Sequence, residues 1–508
     1  MFEHNFKYIK HDKLAKLAWS MRIEKDNADV VVHVGDYVET YPDWFVSGVW
    51  DGDFIDADFE GAKFLCATAV KKIDGKIIVY SPTHERQRFC YMQYDDSIVF
   101  SNSIPLLLAV TGEKVDVNCD QYEKILCSIL DGTKNYNREI PLANGKKMYQ
   151  IFCANISIDT ELNMDYVRKK KHRDFIDYND YFNEMVSVCE RIRDNGHDER
   201  RNQKYGLVTT ASSGYDSSTC AAIAKRVGCN TLLTFKGGKY DEDSAVDIGR
   251  QLGFANVIER GHLDFKNKKG LKDAEFLVCG DHAAYLQFCA FEDDFADHIV
   301  FSGTSGSYIW DRDSNVNEDS VRDHYNYYTA NLSFSENALI KGYIFLPLAL
   351  YGSSAAKSIQ KITNSTEMES WTLYTSYDRP ICRRILESEG VSRESFGQIK
   401  HGGGFSLARN FTKKQVKEKM SKEGFIDFCS WLGLEGNNKW TIGRIFRMIQ
   451  YHCAVSPDYI AYALRKMKIN IHSDLVVPYP NPGIPAKLII WGMETMTEKY
   501  NHALNNCE

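Results

Sequence analysis

A chain of 508 residues is too long for one hydrophobic core and divides into two or three domains. Its 44% apolar content suits folded domains and excludes long disordered regions, while a net charge of -7 gives no electrostatic reason for general nucleic-acid binding. The 14 cysteines are scattered without a CxxC pair or zinc spacing, the usage of a reduced cytoplasmic protein. The longest apolar run, residues 343–351, is too short to span a bilayer and contains Pro347, and the polar start MFEHNFKYIKHDK is no secretory signal. No membrane association is expected.

From residue 61 to residue 110, short β-type runs alternate with turns: FLCATAV, KIIVYS after Asp74-Gly75, RFCYMQY, and SIVFSNS after Asp95-Asp96. Two such hairpins predict an antiparallel sheet. Residues 165–203 are strongly charged, with KKKHRD at 169–174, and then carry Phe182, Met185, Val186 and Val188 at helical spacing. Neighbouring acids nearly balance the basic run, so a solvated linker and a surface helix are expected rather than a nucleic-acid site.

The most informative stretch is residues 207–227, LVTTASSGYDSSTCAAIAKRV. Leu207, Val208, Thr209 and Thr210 suit a buried strand, and residues 219–227 place Ile223 and Val227 on one helical face. Between them lie Ser212, Ser213, Gly214, Tyr215, Asp216, Ser217 and Ser218. A strand turning tightly into a helix leaves backbone N–H groups aimed at whatever sits above the helix start, which favours an anion. Small residues admit a polyphosphate, the seryl hydroxyls add donors, and the Asp216 carboxylate makes sense if magnesium lies between it and the phosphates. A Walker loop would need a lysine after its second glycine, and none is present. Read blandly, the stretch is an N-capped helix with Asp216 and Ser217 as capping residues.

Strand and helix patterns then alternate: a strand at 231–235, a helix at 241–252, a strand at 256–260, a helix at 280–291 and a strand at 298–303. This is the signature of parallel βαβ units, whose ligands sit at the carboxyl ends of the strands. Asp216, Ser302, Gly303, Phe235, Lys236 and Gly237 should share that edge. Further on, Tyr377-Asp378-Arg379-Pro380 precedes a helix at 381–389, and the segment 395–404, SFGQIKHGGG, contains Lys400. Residues 440–450, 457–466 and 487–502 read as helices, with a proline-rich crossing at 476–485.

The 212–218 stretch resembles the SGGxDS pyrophosphate loop of the N-type ATP pyrophosphatases, with Ser213 in place of the first glycine. The order of hairpins in residues 80–103 is similar to that of the N-terminal domain of asparagine synthetases, and residues 301–308 stand where that family carries SGEGADE. Its three acids are here Thr304, Ser307 and Tyr308, with Asp311 and Asp313 following. The resemblance extends over roughly residues 60–410. It implies an α/β protein: residues 1–165 an antiparallel-sheet α+β domain of the N-terminal-nucleophile hydrolase type, 166–410 a doubly wound parallel-sheet ATP pyrophosphatase domain, and 411–508 its helical C-terminal extension. The start Met1-Phe2-Glu3 lacks the terminal cysteine of a working glutaminase, so an inactive scaffold is expected of the first domain.

The resemblance further implies an amide-forming ligase of the β-lactam synthetase or lasso-peptide cyclase kind. Such an enzyme would adenylate a small-molecule or peptide carboxylate with ATP and Mg2+, release pyrophosphate, and pass the acyl group to an amine or ammonia. Residues 212–218 with Phe235 and Gly303 would bind nucleotide, Asp216 and Asp311 the magnesium. Lys400 would stabilise the departing pyrophosphate, and Tyr377 would place the amine or help deprotonate it. Asp311 and Asp313 also read as turn residues, and Lys400 as a surface lysine. A homodimer is one assembly open to such a chain. Two other readings remain: modification of a nucleobase-like or deazaguanine carboxylate on the same fold, and a nucleotide-binding module without chemistry.

Overall fold

The computed structural model describes residues 3–238, 241–278, 286–314, 316, 334–400, 413–433 and 484–505. The protein is mixed α/β, with an amino-terminal pair of sheets followed by a five-stranded parallel sheet and its helices.

The first domain is two layered sheets, of seven and six strands. Leu65–Ile73 and Lys76–Tyr80 pair antiparallel, with Ile73 opposite Lys76. Asp74 and Gly75 between them both have positive φ (50° and 75°), the two-residue turn whose twist matches that of the strands it joins. This hairpin lies in the six-stranded sheet, whereas Phe89–Gln93 and Ser97–Ser101 form theirs in the seven-stranded one, so the two expected hairpins serve different layers. Trp19, Phe45, Phe100 and Ile156 fill the space between the layers, with the Trp19 and Phe45 rings edge to face at 5.2 Å. The amino-terminal edge, Asn5–Lys10, pairs parallel with Asp29–Val34, the exception in an otherwise antiparallel domain.

The parallel sheet has the order Asn256–Gly261, Thr231–Lys236, Gly206–Thr210, His298–Ser302, Ile344–Pro347. Its strands other than Asn256–Gly261 are covered on both faces, with Val208, Leu232, Val300 and Leu346 all buried, whereas that edge strand carries Glu259 and Arg260 and stays half-buried. Ile344–Pro347, read in the sequence only as a run too short for a membrane, is the fifth strand. Chain order reverses on either side of Gly206–Thr210, which makes the gap between it and His298–Ser302 the switch point where ligands of open α/β sheets bind.

Several expected helices differ. The one after Gly206–Thr210 begins at Tyr215 rather than residue 219. The helix expected from 241 starts at Val246, because Asp241 accepts the Gly237 N–H and Ala245 donates to Thr234 Oγ1, which hold residues 241–245 in a turn. Of the expected helix at 280–291, Leu286–Phe291 forms a 3₁₀ turn and residues 280–285 lie outside the described residues. The expected helices at 440–450 and 457–466 also lie outside them.

Two helices tie the domains together. Tyr178–His197, N-capped by Asp177, packs against both Trp44–Trp50 and Tyr215–Arg226. Ile484–Asn505 packs against both Ile104–Thr111 of the first domain and Lys272–Leu277 of the second. Its Tyr500 hydroxyl donates to the buried Glu336 carboxylate, which also accepts from Ser103 Oγ at 2.9 Å. Among the described residues, no helix is long and apolar enough to cross a membrane.

Candidate active site

The serine-rich bend leaves Gly206–Thr210 and enters the helix Tyr215–Arg226 with Gly214 as N-cap. Asp216 and Ser217 are therefore first-turn residues, not caps. The hydroxyls hold the bend closed: Ser217 Oγ accepts the Ser212 N–H at 3.0 Å, Ser212 Oγ accepts the Gly214 N–H at 3.2 Å, and Ser218 Oγ donates to the Ser212 carbonyl at 2.6 Å. Ser213 donates through its N–H to the Asp243 carbonyl at 3.0 Å and through its hydroxyl to the Asp243 carboxylate at 2.9 Å. The serine that stands in for a glycine thus fastens the bend to the segment after the second strand.

The Asp216 carboxylate forms an ion pair with the guanidinium of Arg379, whose Nε lies 3.7 Å from Asp311. Arg379 is 2% exposed, while Asp216 and Asp311 keep 23% and 20% of their side chains open to solvent. Burial pushes the Asp311 carboxyl up from its usual range; the positive charges of Arg379 and Lys400 pull it back, and the negative charge of Asp216 pushes it further up. Asp216, Asp311, Arg379 and Lys400 therefore belong to one electrostatic cluster. Asp311 also accepts the Asp313 N–H at 3.1 Å, so the turn role read from the sequence holds as well.

Two close approaches demand glycine. A Cβ on Gly303 would come within 2.5 Å of the Ser217 nitrogen, and one on Gly306 within 2.5 Å of the Asp216 carboxyl carbon. Gly397, at φ +65°, lies on the Tyr215 ring with no room for a Cβ, and its N–H donates to the Ser213 carbonyl at 2.8 Å. That contact seats the Lys400 segment on the serine-rich bend, with Lys400 itself exposed. Residues 401–412, including the three glycines that follow, lie outside the described residues.

Tyr377 reaches the same bend. Its hydroxyl accepts the Tyr215 N–H at 3.3 Å, and the two rings meet edge to face at 4.9 Å. Burial, reinforced by the charge of Asp216 against the opposing pull of Arg379, holds its phenol well above the usual range. Its hydroxyl therefore keeps its proton and, through Tyr215, steadies the bend. Asp378 fixes this loop by accepting the Leu373 and Tyr374 N–H groups at 2.9 and 2.8 Å.

Phe235 stands at the expected edge, but its ring is 9% exposed and packs against Phe288 and Phe291 at 5.2 and 4.8 Å. The strand is buried on both faces, so alternation does not aim this ring at the edge. Arg379, Asp243 and Gly397 were assigned no role from the sequence. Only the first carries a sequence signal, an arginine directly before a helix-starting proline.

The donor chemistry fits magnesium: two part-exposed carboxylates beside the serine-rich bend, the hard oxygen ligands this ion takes. Asp216 and Asp311 would hold it, with Arg379 keeping both in place. Among the described residues, no group of three or more His, Cys, Asp or Glu side chains forms a protein-only metal site. Comparison with protein-family models gives no match, and comparison with curated proteins gives no relative.

Proposed function

We propose that the protein is an ATP-dependent amide-forming ligase of the asparagine synthetase and β-lactam synthetase kind. In this reading its first domain is a scaffold of the N-terminal-nucleophile hydrolase type and its parallel sheet is an N-type ATP pyrophosphatase. The observation that carries the reading is the convergence of four separate chain segments at the sheet's switch point: the serine-rich bend, the Gly303–Gly306 turn, Asp311, and the Tyr377–Lys400 region that lies on the bend through Gly397.

In the first step an oxygen of the substrate carboxylate attacks the α-phosphorus of ATP, and the bond to the bridging oxygen of pyrophosphate breaks. The bend and the start of Tyr215–Arg226 orient the phosphates, and the positive end of that helix favours the charge they carry. Lys400 meets the charge growing on the leaving pyrophosphate, a preorganised contact of the sort worth roughly a hundredfold to a thousandfold in rate. Magnesium, when bound, neutralises phosphate charge and aligns the oxygens. Tyr377 and Arg379 keep the bend and its carboxylates in place. In the second step an amine nitrogen attacks the acyl carbon, the bond to AMP breaks, and the nitrogen gives up a proton to solvent or substrate.

The test is pyrophosphate release from ATP and magnesium across a panel of carboxylates paired with amines or ammonia. Release that needs both carboxylate and ATP supports the reading. Release with nucleobase carboxylates alone moves it to base modification, and no release with retained ATP binding makes the chain a nucleotide-binding module.

A further inference from the structure

A second charged cavity, of about 640 Å3, lies where the end of the first domain meets the turn at residues 350–354. It is separate from the serine-rich bend, and its size falls within the range of small-molecule sites. Its rim is the charged run that the sequence suggested was only a solvated linker. Arg168, Lys169 and Lys170 all line it, at and just beyond the end of the edge strand Met164–Arg168. Lys63 and Arg173, also on the wall, are held by the Glu184 carboxylate. No ion pair among the described residues holds Arg168, Lys169 or Lys170.

The inner wall is polar and unfilled. Asn155, 1% exposed, donates its amide to Glu60 at 2.9 Å, while its Oδ1 has no partner among the described residues. Glu85, also buried, interacts with Ser353, yet its Oε2 has none. Buried polar atoms are almost always paired, so two residues that line a roomy cavity and each keep an unpartnered oxygen point to a ligand that brings donors.

We propose that this junction cavity binds a small polyanion, a phosphate- or carboxylate-bearing metabolite with hydroxyl or amide donors. Its anionic groups meet Arg168, Lys169 and Lys170, and its donors meet Asn155 Oδ1 and Glu85. Burial pulls the Lys169 ammonium down to about 8, opposed by the Glu60 carboxylate and the Cys153 sulfur nearby. A bound anion offsets that desolvation and restores the ammonium. The residues that follow Lys170 lead into the helix Tyr178–His197, which touches both domains, so occupancy acts on the joint between them. The proposal is independent of the ligase reading.

Amine acylation of the full chain at pH 8, read residue by residue by mass spectrometry, tests it. An amine with pKa about 8 is about half neutral there, whereas an ordinary lysine near 10.4 is less than about 1% neutral, so Lys169 reports occupancy directly. Inorganic pyrophosphate and citrate serve as phosphate and carboxylate probes, against sodium chloride at equal ionic strength. The expected result is at least about fivefold slower acylation of Lys169 with one or both probes, unchanged acylation of exposed Lys7, and loss of that protection in Arg168→Gln/Lys170→Gln. Protection by pyrophosphate alone assigns a phosphate ligand, and by citrate alone a carboxylate ligand. Equal protection by chloride, protection by neither probe, or full protection in the double variant overturns the proposal. Because the readout is at Lys169, it is unaffected by whether the protein cleaves ATP.

Discussion

Two regions of this molecule concentrate charge, and they do so in opposite ways. At the edge of the parallel sheet, two carboxylates face two cations: Asp216 and Asp311 against Arg379 and Lys400. At the domain junction, no ion pair among the described residues holds Arg168, Lys169 or Lys170, although the Glu60 carboxylate acts on Lys169, and Asn155 and Glu85 each keep an unpartnered oxygen. The first arrangement is already balanced and gains little from a bare anion. It suits a ligand that brings its own cation, as magnesium-bound ATP does, whereas the second gains from any small anion that fits. Balance also makes the first site a structural element, since its arginine is buried and depends on its partners.

The largest expected effect breaks that balance. Arg379→Leu leaves two carboxylates without their shared buried cation and should cost about 3–5 kcal/mol in urea unfolding. A loss under ~1 kcal/mol would mean the cluster is held by other contacts. For the same reason Asp216→Ala is a poor probe of chemistry, because it strands Arg379; Asp216→Asn keeps the shape and is the better variant. Lys400→Ala, at an exposed position, should leave the unfolding midpoint unchanged and slow pyrophosphate release roughly a hundredfold to a thousandfold. An equal loss in ATP affinity would make it a binding residue only.

A third prediction concerns Glu336, which lies outside both regions, between Ser103 and Tyr500 at the same domain joint. Burial, with a push from Glu275 and against the pull of Tyr500, Ser103 and Lys499, lifts its carboxyl from 4.5 to about 7. The folded state therefore holds a proton that the unfolded chain has already lost, and stability falls as pH rises from about 4.5 to 7. The fall attributable to this group is about 3 kcal/mol, and it should vanish in Glu336→Gln when unfolding of the two proteins is compared across that range. The smallest effect is expected for Tyr377→Phe, which removes the acceptor of the Tyr215 N–H. About 1 kcal/mol of stability should be lost, together with activity, and the pH dependence of turnover should not change, as befits a positioning group.

How much of this was legible in the sequence follows from the range of each interaction. The hairpin at Asp74-Gly75 and the bend at 212–218 are local signals, set by turn residues and hydroxyls a few positions apart, whereas the seat of the Lys400 segment depends on Gly397 meeting Tyr215 and Ser213 from a distant part of the chain. The Asp216–Arg379 pair joins residues far apart in the chain, and no local pattern marks that arginine as buried. Phe235 misled because a strand covered on both faces has no polar side to fix its register. The charged run at 169–174 reads as solvent-facing from composition alone. Only the fold reveals that residues 168–170 rim a cavity whose far wall comes from residues 350–354.

The most direct measurement follows oxygen through the proposed first step. With substrate carboxylate labelled in both oxygens with 18O, and ATP and magnesium present, the account predicts that the AMP released with the amide carries one labelled oxygen and that pyrophosphate forms in equal amount. Unlabelled AMP, or ADP and phosphate in place of AMP and pyrophosphate, would contradict it.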